Sequence, residues 1–131
     1  MQKILDASAL IAYLEKEPGY GKVAKALSKA AAGEQHVLMT TVNWGEVYYT
    51  LSREYDPPEV EKIIHLIDTF PIELVAPDRE LAKRAALFKS EKKLPYADCF
   101  AAALAFIRKG ELFTSDRDFR AVEDKIRIEW I

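Results

Sequence analysis

One cysteine, Cys99, and two histidines, His36 and His65, are all that this 131-residue chain offers in thiol or imidazole ligands. A lone cysteine closes no internal disulfide framework and builds no cysteine-type zinc site. His36 and His65 fall at a loop-to-strand boundary and in a helix, with no partner at ligand spacing, so neither is assigned a catalytic role. No apolar run reaches the length of about 18 residues that a membrane span needs, and no signal-peptide pattern is present. The expectation is a soluble cytoplasmic protein without a membrane partner. Net charge is also scarce: 19 Lys and Arg stand against 21 Asp and Glu, for a formal −2. That balance neither points to nor excludes nucleic acid, so any basic footprint must be local. Repeats, linkers and low-complexity segments are absent. What is present is a hydrophobic half of the composition, enough at this length for one core, and residues 1–131 read as a single domain.

Ile4-Leu5 reads as a short buried strand, followed by Leu10, Ile11 and Leu14 on one face of a short helix. Tyr20 to Ala32 is rich in Ala and Lys and helix-forming, with Gly33 as its C-terminal cap. HVLMTT reads as a second strand. Asn43 opens the next helix, where Trp44, Val47, Tyr48, Leu51 and Tyr55 form a core-facing stripe and Glu46 lies off it. Pro57-Pro58 starts a helix with Val60, Ile63, Ile64 and Ile67 on its apolar face, ended by Pro71. IELVAP is a third strand, Asp78 and Pro95 begin two further helices, and LFTS is a strand set off by Gly110. A short segment from Asp116 to Val122 leads into a last strand, IRIEWI. Strands alternating with helices predict an α/β fold, a three-layer α/β/α sandwich around a central parallel sheet of four to five strands.

Asp98 is the only charged residue between Leu94 and Ile107, in a helix apolar nearly all round, with Ala101, Ala102 and Ala105 on its face. Such a helix is buried, and a buried carboxylate needs a partner. Singly, each acid has a simpler account. Asp6 can cap the first helix, Asn43 and Glu46 have capping-box spacing, as do Ser115 and Asp118, and Asp116 can be another cap. Asp98 suits the first turn of a helix, where the macrodipole favours a negative charge.

Together they weigh differently. Asp6, Asp116 and the Asn43 to Glu46 turn all follow C-terminal ends of predicted strands, and Asp98 opens a helix. In open parallel sheets that edge is where ligands bind. Four carboxylates there without Lys or His among them repel one another unless protons or cations intervene. Hard divalent cations suit them: Mg²⁺ takes oxygen ligands octahedrally and Mn²⁺ substitutes for it. Such a site polarises a phosphodiester and activates water, and two ions stabilise both attacking and leaving oxygens.

Other residues are read as packing or surface. Cys99 is a small buried thiol, and Trp44 and Tyr48 lie on the core stripe, although with Tyr49 they have rings that could stack on bases. Tyr96 borders Asp98 as a candidate substrate contact. Arg79, Lys83, Arg84, Lys89, Lys92, Lys93, Arg117 and Arg120 are candidates for a nucleic-acid path, with a solvated face as the alternative for most.

DASALIAYL at the start, TTVNWGEVYYTL, YADCFAAALA and FTSDRDF near the end resemble PIN-domain ribonucleases, above all the small VapC-like toxins of type II toxin–antitoxin modules. The resemblance runs nearly end to end. It implies a PIN-like domain whose acidic quartet, Asp6, Glu46, Asp98 and Asp116, is catalytic and holds Mg²⁺ or Mn²⁺. It places Ser8 and Thr114 as neighbouring hydroxyls, Asp118 as an additional acid, and Asn43 where relatives often carry Thr or Ser. It also implies an RNA substrate, a homodimer and a cognate antitoxin protein covering the acidic cleft. The alternative is a catalytically silent PIN-fold module that binds metal, RNA or protein. A phosphoryl-transfer domain also places Asp after a first strand, but it needs a Lys near the phosphoryl group, and no Lys follows a predicted strand suitably.

Overall fold

The computed structural model describes residues 1–131. Five strands, β1 (Lys3–Leu5), β2 (Val37–Thr40), β3 (Ile72–Val75), β4 (Glu111–Thr114) and β5 (Arg127–Trp130), form one sheet in the order β3-β2-β1-β4-β5. All four pairings are parallel. Six helices connect them: α1 (Ala7–Glu15), α2 (Tyr20–Ala31), α3 (Thr41–Glu54), α4 (Pro57–Ile67), α5 (Arg79–Glu91) and α6 (Tyr96–Arg108). A short 3₁₀ helix, Arg117–Val122, joins β4 to β5. The α/β sandwich expected from the alternation of elements is what forms.

Strand alternation assigns the two faces. Ile4, Leu38 and Leu112 point into a core built with α5, α6 and the 3₁₀ helix. Their neighbours Leu5, Val37, Met39 and Phe113 point into a second core built with α1 to α4. Buried on both faces, the central strands read as continuous apolar runs. The strand order places β1 between β2 and β4, so the chain's direction of winding reverses between β1 and β4, and a crevice opens there at the C-terminal edge.

Helix α6 is buried from Asp98 through Ala105, and its alanines let it lie close against β1, β2 and β4. Gly110 permits a similar approach at the opposite edge: a Cβ there would lie 2.5 Å from Ile4 Cδ1 and 2.7 Å from the Gln2 carbonyl. At the turn before α2, Gly19 has φ +92° and sits against Ile131, a place no side chain fits.

Local details depart from the sequence reading. Helix α3 begins at Thr41, not Asn43, because the Thr40 hydroxyl accepts from the Asn43 N–H and caps the helix. Tyr55 is exposed: it is the residue after α3, in extended conformation, so the helical stripe stops at Leu51. Helix α2 ends at Ala31, and Gly33 follows its cap at φ +77°. No helix is long and apolar enough to cross a membrane.

Candidate functional site

Asp6 leaves β1 at the crevice and caps α1, accepting the Ala9 N–H at 2.9 Å. It is 3% exposed, and three groups answer its burial. The Ser8 hydroxyl lies 2.8 and 3.0 Å from its two oxygens, and the Thr114 hydroxyl, at the end of β4, donates to Oδ2 at 2.5 Å. Both hydroxyls then accept from the loop that follows β4. Thr114 Oγ1 takes the Asp116 N–H at 3.0 Å, and Ser8 Oγ takes the Ser115 N–H at 3.1 Å. Asp6 thereby ties the end of β1 to the loop that carries Asp116 and Asp118.

Asp98, Asp116 and Asp118 are placed differently. Each has a carboxylate oxygen within 4.8 Å of the others. Asp98 stands in the first turn of α6 and is 8% exposed; Asp116 caps the 3₁₀ helix by accepting the Asp118 N–H at 2.9 Å. None of the three, nor Asp6 or Glu46, forms an ion pair. Burial foremost, then the charges of Asp116, Glu46, Asp6 and Asp118, push the Asp98 carboxyl up to about 7. Asp6 rises to about 6, through burial opposed by its hydrogen bonds to Thr114, Ala9 and Ser8.

Glu46 reaches the site by way of Asn43. The Asn43 amide nitrogen donates to Glu46 Oε1 at 2.9 Å and to the Ala97 carbonyl at 3.1 Å, while its oxygen accepts from the Thr40 hydroxyl. The expected capping box, with Glu46 returning to the Asn43 backbone, does not form, because that end of the helix is already capped by Thr40. Instead one fully buried amide links the end of β2, the acid on α3 and the turn of α6 that presents Asp98. Thr40 and the Ala97 carbonyl are the members of this site that sequence reading missed. The T-x-x-N spacing from Thr40 to Asn43 was the available signal for the first, and nothing local signals the second.

Of the eight cations considered for an RNA path, four are engaged elsewhere. Arg84 lies over the Phe106 and Phe88 rings, 4.2 and 5.7 Å from their centroids. Lys89 donates to the Leu94 carbonyl, Lys92 pairs with Asp124, and Arg117 stacks 4.5 Å over Trp130. Tyr96 is half exposed and meets Phe100 edge-on. Trp44 and Tyr48 pack together against the second core, whereas Tyr49 is exposed under Arg53. His36 and His65 are exposed, and Cys99 is buried.

The donor set of Asp98, Asp116 and Asp118, with Glu46 and Asp6 alongside, is all hard oxygen and fits a divalent cation. Several solved structures share the fold. The VapBC2 complex of Rickettsia felis, bound to a fragment of its promoter DNA, has TM-score 0.79 at 14% identity over 98% of both chains. DNA-bound VapBC of Salmonella typhimurium has TM-score 0.77 at 18% identity over 98% of this chain and 97% of that one. VapC20 of Mycobacterium tuberculosis, a sarcin-ricin loop cleaving toxin, has TM-score 0.65 at 16% identity over 92% and 94%. No curated protein sequence matches. The PIN domain family model matches residues 3–125, from the first strand through the acid-bearing loop after β4, and the chain belongs to the PIN domain family.

Proposed function

We propose that the protein is a Mg²⁺- or Mn²⁺-dependent endoribonuclease and the toxin of a toxin–antitoxin pair, with Asp6, Glu46, Asp98 and Asp116 as its catalytic acids and Asp118 beside them. The observation that carries this reading is the three-carboxylate cluster of Asp98, Asp116 and Asp118, unpaired with any basic group at the sheet's switch point. Mutual repulsion at that spacing is relieved by a cation or a proton, and one acid is already pushed up to about 7.

Asp98, Asp116 and Asp118 would hold the cation, with Glu46 steadied toward it by Asn43. A bound divalent ion supplies Lewis-acid polarisation of a phosphodiester and acidifies water. Asp6 holds the β4 loop in register through Thr114 and Ser8, which keeps Asp116 and Asp118 facing Asp98. Hydrolysis needs no covalent nucleophile from the chain, and the Ser8 and Thr114 hydroxyls are committed to Asp6. A cognate antitoxin is supported by the VapBC structures that share the fold, and a homodimer is proposed with it.

Purified protein incubated with total cellular RNA in Mg²⁺, Mn²⁺ or EDTA, with Asp98→Asn alongside, tests the reading. Discrete fragments that require both metal and Asp98 are expected. Intact RNA in every lane, from folded protein free of antitoxin, would move the assignment to a silent PIN-fold binding module.

A further inference from the structure

The face that the sequence left unremarked is the outer side of α2. Tyr20–Ala31 contains no acid, and Lys22, Lys25 and Lys29 recur at i, i+3 and i+7, on one side of the helix. Beside them α2 leaves part of β4 and β5 uncovered, and a recess of about 380 Å³ opens there, lined by Lys3, Lys22, Lys25, Lys29, Glu111 and Glu129 among others. Four cations against two acids give this recess an excess of two positive charges, in a chain whose net charge is −2.

Two of the cations are fastened. Lys3 pairs with Glu111 at 2.8 Å, and Lys22 donates to the Trp130 carbonyl at 2.8 Å with Glu129 at 3.6 Å. Lys25 and Lys29 pair with no acid. The recess therefore has a neutralised frame and two uncommitted ammonium groups. Its upper end lies at the sheet edge that carries the acidic cluster. Trp130, whose carbonyl receives Lys22, pairs in register with Thr114, and the Thr114 hydroxyl holds Asp6 and the Asp116 N–H. Lys22 thus stands beside that edge, and Lys25 and Lys29 lead away from it down α2. From Lys22 to Lys29 the helix rises about 10 Å, the length of about three stacked nucleotides of one strand.

We infer that the α2 recess is a binding track for the phosphate backbone of the RNA flanking the cleaved bond, with Lys25 and Lys29 as its phosphate contacts. The inference rests on the ribonuclease reading. It assigns the RNA path to α2, whose upper end meets the edge of the acidic crevice, in place of the α5 side, where Arg84, Lys89 and Lys92 are engaged although Lys83 and Lys109 pair with no acid. An RNA brought to five clustered carboxylates is repelled by them, and a nearby surplus of positive charge offsets that repulsion over a Debye length of about 10 Å at moderate salt.

The test measures binding of a short unstructured fluorescent RNA to Asp98→Asn protein in EDTA, across a salt series, so that cleavage and metal play no part. Adding Lys25→Gln with Lys29→Gln is expected to weaken binding about tenfold at low salt and to lower the slope of log K against log salt by about 1.4, two phosphate contacts at about 0.7 each. Lys25→Arg with Lys29→Arg keeps the charge and is expected to keep the affinity. Lys83→Gln with Lys109→Gln removes the same charge from the opposite side and is expected to leave binding within about twofold. Equal loss in both Gln pairs would show a net-charge effect and overturn the track; so would unchanged binding in the α2 Gln pair. If wild-type protein cleaves RNA while the α2 pair binds normally, the track fails and the ribonuclease reading stands. If wild-type protein neither cleaves nor binds RNA, both fail.

Discussion

Asp6 and Asp98 face the same crevice, and burial pushes both carboxyls upward, yet their surroundings are opposite in kind. Asp6 is answered by the chain itself: two hydroxyls and a backbone N–H stand against the cost of its burial. Around Asp98 the neighbours are other carboxylates, which add to the cost. A buried charge that the fold satisfies is part of the fold. One that the fold makes worse is relieved by a proton or a cation; on the proposed function the contrast puts the cation nearest Asp98 and gives Asp6, a member of the same quartet, the added task of holding the β4 loop.

The substitution that bears hardest on this contrast is Asp98→Asn. RNA cleavage is expected to fall by about 10³-fold or more, read by gel against the wild type. Stability is expected to move the other way. With its folded pKa raised from 3.8 to about 7, ionised Asp98 works against the metal-free fold. Its favourable contribution is complete below pH 4 and is lost as pH rises through about 7. Wild-type protein in EDTA should therefore lose stability between pH 5 and pH 8, while Asp98→Asn, neutral throughout, should exceed it by about 2 kcal/mol at pH 8. Saturating Mn²⁺ should recover about that much for the wild type and little for the variant, through binding to the folded state alone. Thermal melts at two pH values with and without Mn²⁺ decide it, and a wild type indifferent to Mn²⁺ breaks the contrast.

Asn43 stands between the two regions, since its amide serves the helix cap, Glu46 and the backbone beside Asp98 together. Asn43→Ala removes all three bonds in a fully buried place and leaves the Thr40 hydroxyl and the Ala97 carbonyl without this partner. A loss of about 2 to 3 kcal/mol in urea unfolding is expected, with weaker cleavage because Glu46 is no longer held. Asn43→Thr has one hydroxyl for three partners and should fall between. Full cleavage by folded Asn43→Ala protein would show that Glu46 needs no such support.

How far this was legible from sequence depended on whether the cause was local. Asp6 and Asp98 were conspicuous because each interrupts an apolar run, and the alternation of strand and helix carried the layers and the parallel sheet. The start of α3 was misplaced because Thr40 and Thr41 are both β-branched and extend the strand pattern, although only the first belongs to the strand. The Asn43 bond to Ala97 joins residues 54 apart, so no window along the chain contains it. Asp118 was set beside the quartet as an additional acid. Its approach to Asp98 and Asp116 depends on the 3₁₀ turn after β4, a geometry that the letters SDRDF do not specify. The α2 recess was invisible for a related reason. Three lysines on a helix are ordinary, and they line a recess only because α2 leaves part of β4 and β5 bare.

The smallest expected effect is the most discriminating. In Asp6→Asn the oxygen that accepts from Ala9 can stay, while the new NH₂ faces the Ser8 and Thr114 hydroxyls. Each hydroxyl oxygen already accepts a backbone N–H and has a second lone pair for the amide, so the network can re-form with reversed donors. What is lost is the charge-assisted strength of those bonds; what is relieved is the burial of a charge. These oppose each other, but the Asp6 carboxyl still rises to about 6 with its hydrogen bonds in place, so a gain in stability at pH 8 is expected that is smaller than the gain at Asp98. Below about pH 4, where Asp6 is protonated in the folded and the unfolded chain alike, the charge-related difference should vanish. A gain as large as that of Asp98→Asn would mean that the hydroxyls do not compensate Asp6, and that both acids await the same cation.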